Sequence, residues 1–375
     1  MAAVNRRSMQ PGERIRVLVV DDSVVIRRLV TQALEPDPMI EVVGTASNGL
    51  IGLQRIPQLN PDVLTLDIEM PNMNGLEMLR RVRREYPQLR VIMFSTLTER
   101  GAAITLEALT LGADDYVTKV SNEGSLDRSM ERLREHMLPK IKQFFRAAAD
   151  SALVSQPARA AEAPGAPGTP GAAEKPASPA VSVARPKVLV IGVSTGGPAA
   201  LGQILPTFPV NFPLPVLLVQ HMPPLFTRSL AERLDAHCQL TVEEARDGTA
   251  VEAGKILIAP GDFHMKVAWA GGVVRVCLDQ SPRQNSCRPA VDALFVSAAE
   301  IYRGAVLAVI LTGMGQDGLH GVKLLKARGA TVLVQDEASS VVWGMPGAVV
   351  SAGLADRVLP LDGIVPEILN ITGRG

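Results

Sequence analysis

The chain has 375 residues, with 38 Lys or Arg balanced by 38 Asp or Glu, so its formal net charge is zero. That length admits two domains with ordinary cores. The charge balance argues against a general polyanion binder, and an aromatic content of 3% leaves few rings for stacking on nucleic-acid bases.

Cys238, Cys277 and Cys287 form no CxxC pair and are odd in number, which disfavours a disulfide framework or a structural zinc site. The opening MAAVNRRSMQPGERIR lacks an apolar signal core, and runs such as AVLAVIL at 305–311 are too short to cross a bilayer. The expectation is a soluble cytoplasmic monomer with no direct membrane insertion.

In chain order, IRVLVV (15–20), IEVVGT (40–45), DVLTLD (62–67), RVIMFS (90–95) and DDYVTK (114–119) read as strands. Val25, Ile26, Leu29, Val30, Ala33 and Leu34 repeat with helical spacing between the first two, and later intervals carry GLIGLQRI, GLEMLRRVRREY and TLEALTLG. Such alternation implies a five-stranded parallel sheet with helices on both faces. A last helix is expected at about 125–147.

Ligands of open α/β sheets bind beyond the carboxyl ends of the strands. Asp21 and Asp22 follow the first strand, Asp67 ends the third, Ser95 the fourth and Lys119 the fifth. Three gathered carboxylates call for a hard divalent cation with oxygen ligands, most simply Mg²⁺ held by Asp21, Asp22 and Asp67. The same ion would neutralise a phosphoryl group arriving at Asp67, with Lys119 and either Ser95 or its neighbour Thr96 binding the other oxygens. Asp22 also precedes a helix and is a candidate cap. Over about 14–135 the chain resembles the response-regulator receiver family, which is flavodoxin-like. The resemblance implies phosphorylation of Asp67 by a histidine kinase. Val120 departs from the family's frequent Pro after the lysine.

Residues 151–186, SALVSQPARAAEAPGAPGTPGAAEKPASPAVSVARP, are rich in Pro, Ala, Gly and Ser and lack the large apolar residues needed to offset ordering entropy. They are expected to form a linker, so that 14–135 is one domain, 136–186 a helix end and connector, and 187–370 a second domain.

In the second half KVLVIG (187–192), VLLVQH (216–221), ILIAP (256–260), AVLAVILTG (305–313) and TVLVQD (331–336) are strand candidates, separated by helical patterns such as LFTRSLAERLDAH and AVDALFVSAAEIY. This points to a larger, doubly wound, mostly parallel α/β domain. Ser194 follows its first strand in the Gly-rich turn GVSTGG, ahead of a helix whose free N–H groups favour negative charge. His221 ends the next strand, and Asp317 follows AVLAVILTGMG. These positions allow a relay in which Ser194 attacks, His221 carries its proton and Asp317 orients the imidazole. The glycines flanking Met314 leave a backbone N–H for an oxyanion.

His264 is the alternative base, and Asp262 and Asp292 are rival acids, each with an ordinary role as a turn or cap residue. The match to G-x-S-x-G is coincidental, because those hydrolases run Ser, acid, His along the chain. GVSTGG lacks the further residues of a Walker or dinucleotide loop. No His pair has catalytic-zinc spacing, and the hydrolytic site needs no cofactor.

GVSTGGP, QHMPPLFT, LIAPGDFHM, RPAVDALF, LTGMGQDG and QDEASSVVWGMPGAV together resemble the chemotaxis protein-glutamate methylesterase (CheB-type) family over 187–368. The resemblance implies a Ser194–His221–Asp317 triad, with Thr195 helping to hold His221 and Met314 contributing its backbone near the oxyanion. It also implies methylated chemoreceptor glutamates as substrate, a histidine kinase as phosphodonor and glutamine deamidation as a second activity. A phosphorylation-responsive adaptor without catalysis is the competing reading. A transcriptional regulator is weaker, because no short helix-turn-helix and no basic excess follow the linker.

Overall fold

The computed structural model describes residues 7–8, 12–119, 126–146 and 185–373. Val120 and almost all of the expected linker lie outside them.

The first sheet contains β2 (Ile15–Val20), β3 (Ile40–Ala46), β4 (Val63–Asp67), β5 (Arg90–Ser95) and β6 (Asp115–Thr118) in the order β3-β2-β4-β5-β6, every neighbour parallel. Helices α1 (Val24–Leu34), α2 (Gly49–Leu59), α3 (Gly75–Glu85), α4 (Glu99–Thr110) and α5 (Leu126–Lys142) connect or follow them. Strands such as Val63–Asp67 are buried at every position, as expected when helices cover both faces. Arg7–Ser8 (β1) and Phe145–Arg146 (β7) form a separate parallel pair.

Helix α1 is capped by Ser23, whose hydroxyl accepts from the Ile26 N–H, and not by Asp22. The serine sits one residue closer to the helix, which leaves Asp22 exposed at the strand end. Helix α3 opens with a capping box in which Asn74 and Glu77 satisfy each other's backbone N–H groups.

The second sheet has seven strands, all parallel to their neighbours: β8 (Val188–Val193), β9 (Val216–Gln220), β10 (Thr241–Glu244), β11 (Lys255–Ile258), β14 (Val306–Ile310), β15 (Thr331–Gln335) and β16 (Arg357–Leu359). Their order is β10-β11-β9-β8-β14-β15-β16. The chain therefore leaves β8 toward β9 and later returns on the other side at β14. The strand order reverses between β8 and β14, and the crevice at such a reversal is where ligands bind. Helices α6 (Gly197–Ile204), α7 (Phe226–Asp235), α8 (Val291–Tyr302), α9 (Leu319–Ala327), α10 (Met345–Ser351) and α11 (Leu361–Thr372) cover the sheet.

An antiparallel hairpin, β12 (His264–Ala270) with β13 (Val273–Asp279), packs on α8, where the Val267 N–H donates to Ser297 Oγ at 3.1 Å. No strand was expected at these residues or at Thr241–Glu244.

The two sheets do not stand apart. Apolar residues of β6 and α4, including Tyr116 and Leu106, share one buried cluster with Phe226 and Leu230 of α7. The rings of Tyr116 and Phe226 stack with centroids 4.8 Å apart and planes within 6°.

Candidate active site and phosphoacceptor pocket

At the carboxyl edge of the first sheet, Asp21, Asp22 and Asp67 each offer an oxygen, and these atoms lie within 4.8 Å of one another. Asp21 and Asp67 are buried, while Asp22 is exposed. Lys119 Nζ stands 2.7 Å from Asp67 Oδ1 and 3.0 Å from Asp21 Oδ2. The Ile68 N–H also donates to Asp67 Oδ1. Burial pushes the Asp67 carboxyl up to about 6; the Lys119 bond opposes that rise and the Asp21 charge adds to it. Burial also acts to lower the Lys119 pKa, but the Asp67 and Asp21 carboxylates outweigh it and the net shift is upward.

An all-oxygen donor set with one exposed member suits a hard divalent cation that keeps some of its own water. Gly75 is required for closeness here: a Cβ on it would stand 2.1 Å from the Asp67 carbonyl oxygen.

Ser95 lies beside this pocket but faces inward, accepting from Thr105 Oγ1 at 2.6 Å, with the Gly101 carbonyl 3.3 Å from its oxygen. Thr96 is exposed, its hydroxyl 3.4 Å from that of Thr98.

In the second sheet, Val193 pairs with Gln220 across β8 and β9, so Ser194 and His221 are the next residues on adjacent strands. The His221 N–H donates to the Val193 carbonyl at 3.2 Å, which holds the two backbones about one strand spacing, roughly 4.8 Å, apart. Ser194 is anchored from the other side by its N–H to the Thr312 carbonyl. Gly313 presses against it, since a Cβ there would meet Ser194 Cβ at 2.8 Å. Gln220 is buried beneath the turn, and its Nε2 donates to the carbonyls of Ser194 (2.9 Å) and His221 (3.3 Å).

Asp317 reaches the same place from the loop after β14. Its Oδ2 lies 2.7 Å from His221 Nε2 and also accepts from the Val291 N–H, while Oδ1 accepts from Gly318, Asp292 and Asn285. Burial acts to raise the Asp317 pKa, but the bond to His221 and these donors outweigh it and hold the carboxyl below its ordinary value. For His221 burial acts downward, and Asp317 and Cys287 outweigh it, so the imidazole is held above its usual range. With Nε2 committed to Asp317, the nitrogen left for Ser194 is Nδ1, which faces Cys287 Sγ at 3.6 Å. The structure thus joins His221 to Asp317. The Ser194 hydroxyl makes no hydrogen bond among the described residues. The Met314 N–H likewise donates to nothing described, and its residue is 40% exposed.

Thr195 is not on His221. Its hydroxyl is drawn to the other domain, 3.0 Å from Asp115 Oδ2 and 3.2 Å from Gln143 Oε1. Asp115 and Gln143 are themselves buried, and Asp115 also receives Lys140 Nζ at 2.6 Å, Gln143 Nε2 at 3.0 Å and the Tyr116 N–H at 2.7 Å. The residue after the candidate nucleophile is therefore tied to the first domain.

The other candidates fall to structural roles. His264 is fully buried, with Nδ1 accepting from the Ala290 N–H and Nε2 against the Pro282 carbonyl, so neither nitrogen is free to act as a base. Asp262 pairs with Arg288. Asp292 accepts from the Gly321 N–H and from Asn285. Burial and the neighbouring Asp317 charge raise its pKa, although the Gly321 bond opposes them.

A family model for CheB methylesterase matches residues 189–368 and one for the response regulator receiver domain matches 17–131. A protein-glutamate methylesterase/protein-glutamine glutaminase of Trichodesmium erythraeum (strain IMS101) is 48% identical over 360 residues, 96% of this chain and 99% of that protein. The chain belongs to this family. A relative with the same description from Nocardioides sp. (strain ATCC BAA-499 / JS614) is 52% identical over 364 residues, 97% of this chain and 96% of its own.

Among solved structures, the Thermotoga maritima CheB methylesterase catalytic domain is 49% identical, covering 50% of this chain and 98% of that one with a TM-score of 0.49. The response regulator domain of Thermotoga maritima CheB is 46% identical, covering 35% and 96% with a TM-score of 0.32. By the two family models and the relatives matched over nearly its whole length, the chain is a hydrolase of the methylesterase/glutaminase family carrying a receiver domain. No helix among its described residues is long and apolar enough to cross a membrane.

Proposed function

We propose that Ser194, His221 and Asp317 hydrolyse the γ-methyl ester of glutamate side chains on the cytoplasmic helices of chemoreceptors, and that phosphorylation of Asp67 sets the rate. The observation that carries the mechanism is the His221–Asp317 bond of 2.7 Å, formed one strand away from Ser194 at the point where the strand order reverses.

In this mechanism Ser194 Oγ attacks the ester carbonyl and gives its proton to His221 Nδ1. The Met314 N–H receives the oxyanion. His221 returns the proton to the departing methoxide, releasing methanol, and Asp317 stabilises the imidazolium in between. Water, activated by the same nitrogen, then cleaves the acyl-serine to leave a glutamate carboxylate. A glutamine amide follows the same course with ammonia as leaving group, and it depends more on proton donation by His221.

Residues 14–135 act as the switch, 136–186 as the helix end and connector, and 187–370 as the hydrolase. Asp21, Asp22 and Asp67 would hold Mg²⁺, which when bound offsets the charge of a phosphoryl group from a histidine kinase. Lys119 and Ser95 contact that group, Ser95 after leaving its bond to Thr105. The unphosphorylated receiver rests on the nucleophile turn through Asp115 and Thr195, and phosphorylation weakens that contact. The protein acts as a cytoplasmic monomer. The hydrolytic step is tested by methanol release from methylated receptor membranes: Ser194→Ala is expected to lose at least about 10³-fold. Release equal to the unsubstituted chain would favour a non-catalytic adaptor.

A further inference from the structure

Asp317 has a second buried carboxyl beside it, and one side chain bridges the two. Asn285 Nδ2 stands 2.9 Å from Asp317 Oδ1 and 2.9 Å from Asp292 Oδ2. An amide nitrogen carries two hydrogens, so both bonds form at once without sharing.

The other donors to Asp317 Oδ1, the N–H groups of Asp292 and Gly318, are backbone groups at the starts of α8 and α9. Asn285 alone among these donors is a side chain, and it comes from a loop crossing over the site. That loop is a two-residue turn closed by reciprocal bonds between Gln284 and Cys287 (3.1 and 2.8 Å), with Asn285 and Ser286 both at positive φ (50° and 64°). The same turn places Cys287 Sγ 3.6 Å from His221 Nδ1. One short turn therefore meets both ends of the His–Asp pair.

We infer that Asn285 is a positioning residue for the hydrolysis: it fixes the Asp317 carboxylate toward His221 and ties down Asp292, keeping the second carboxyl from sharing Asp317's role. The inference rests on the triad reading above. Two carboxyls this close otherwise share a proton or repel one another, and either disturbs the imidazole. A donor inserted between them lets Asp317 stay ionised and oriented. The charged and titratable groups facing the arrangement are Asp317, Asp292 and Cys287, with His320 of α9 acting on Asp292.

Two substitutions separate the amide from the turn. Asn285→Gly keeps the positive φ and deletes the bridge. Asn285→Asp keeps the size and the tolerance of positive φ but replaces a donor with a third carboxyl.

The experiment measures methanol release from methylated receptor membranes by the full chain, activated with a small phosphodonor, between pH 6 and 10, with urea midpoints as a check on folding. Asn285→Gly is expected to lower kcat about tenfold with KM unchanged, as for the loss of one bond to a charged group. Asn285→Asp is expected to move the rising limb of kcat/KM to higher pH, because added negative charge favours the imidazolium. Its pH limb decides the matter even if the glycine variant folds poorly. An unshifted limb in Asn285→Asp overturns the inference, as does a folded Asn285→Gly with unchanged kcat or a loss confined to KM. Ser194→Ala runs alongside. If it is inactive while both Asn285 variants match the unsubstituted chain, only the inference falls; if it is fully active, the triad reading falls and takes the inference with it.

Discussion

Removing the Asp115 carboxylate should release the hydrolase without touching its own residues. Asp115 is 4% exposed and is bonded by Lys140 of α5 and by Gln143 just after that helix, so of its side-chain partners only Thr195 comes from the second sheet's domain. The Thr195 hydroxyl has a single hydrogen for Asp115 and Gln143, so the crossing counts as one bond to a charged acceptor, worth about 1.5–3 kcal/mol. The lower figure applies, since a released Asp115 keeps its two local partners and regains water.

About 1.4 kcal/mol shifts an equilibrium tenfold. Asp115→Ala is therefore expected to raise unphosphorylated turnover about tenfold, toward the phosphorylated rate, while leaving the phosphorylated rate unchanged. Methanol release from methylated receptor membranes, with and without a small phosphodonor, reads both. In a Thr195→Val background the same change should add little, because the partner is already gone. A folded Asp115→Ala chain whose unphosphorylated rate equals that of the parent would refute the reasoning.

Two further outcomes are expected. Asp67→Asn should stabilise the chain by about 1–3 kcal/mol at pH 7.5 without divalent cation, because burial raises the Asp67 pKa from 3.8 to about 6. That raised value makes the cost of ionisation fully present above pH 6 and absent below 3.8, so urea midpoints of the two chains should converge near pH 4; equal midpoints at pH 7.5 would count against it. Gly197→Ala would put a Cβ 1.9 Å from Gln220 Oε1 and 2.8 Å from Val193 Cγ2, so it should cost about 1–3 kcal/mol and, on the proposed mechanism, slow hydrolysis by displacing the turn that carries Ser194. Unfolding midpoints and turnover check both effects.

The buried parallel strands were readable because strands covered on both faces, such as Val188–Val193, are continuous apolar runs bounded by turn residues. Thr241–Glu244 escaped because it is an edge strand with two glutamates and an exposed first residue. The hairpin at 264–279 did leave a signal: Gly271 and Gly272, both at positive φ, form the kind of two-residue turn that joins antiparallel strands.

The placing of Ser194, His221 and Asp317 at one sheet edge was legible because each follows a strand of that sheet. Asn285 was not, since it reaches Asp317 from a loop without periodicity. The tie from Thr195 to Asp115 was equally hidden, because it exists only once two separately coded sheets have docked.

Thr195 is one peptide bond from Ser194, so the docked receiver and a side chain being cleaved contend for the same few ångströms of backbone. Linkage between such events runs both ways and by the same factor. If release of the receiver favours binding of a receptor side chain at Ser194, then that binding favours release of the receiver by the same factor. A receptor rich in methyl esters would thereby help to hold open the site that demethylates it.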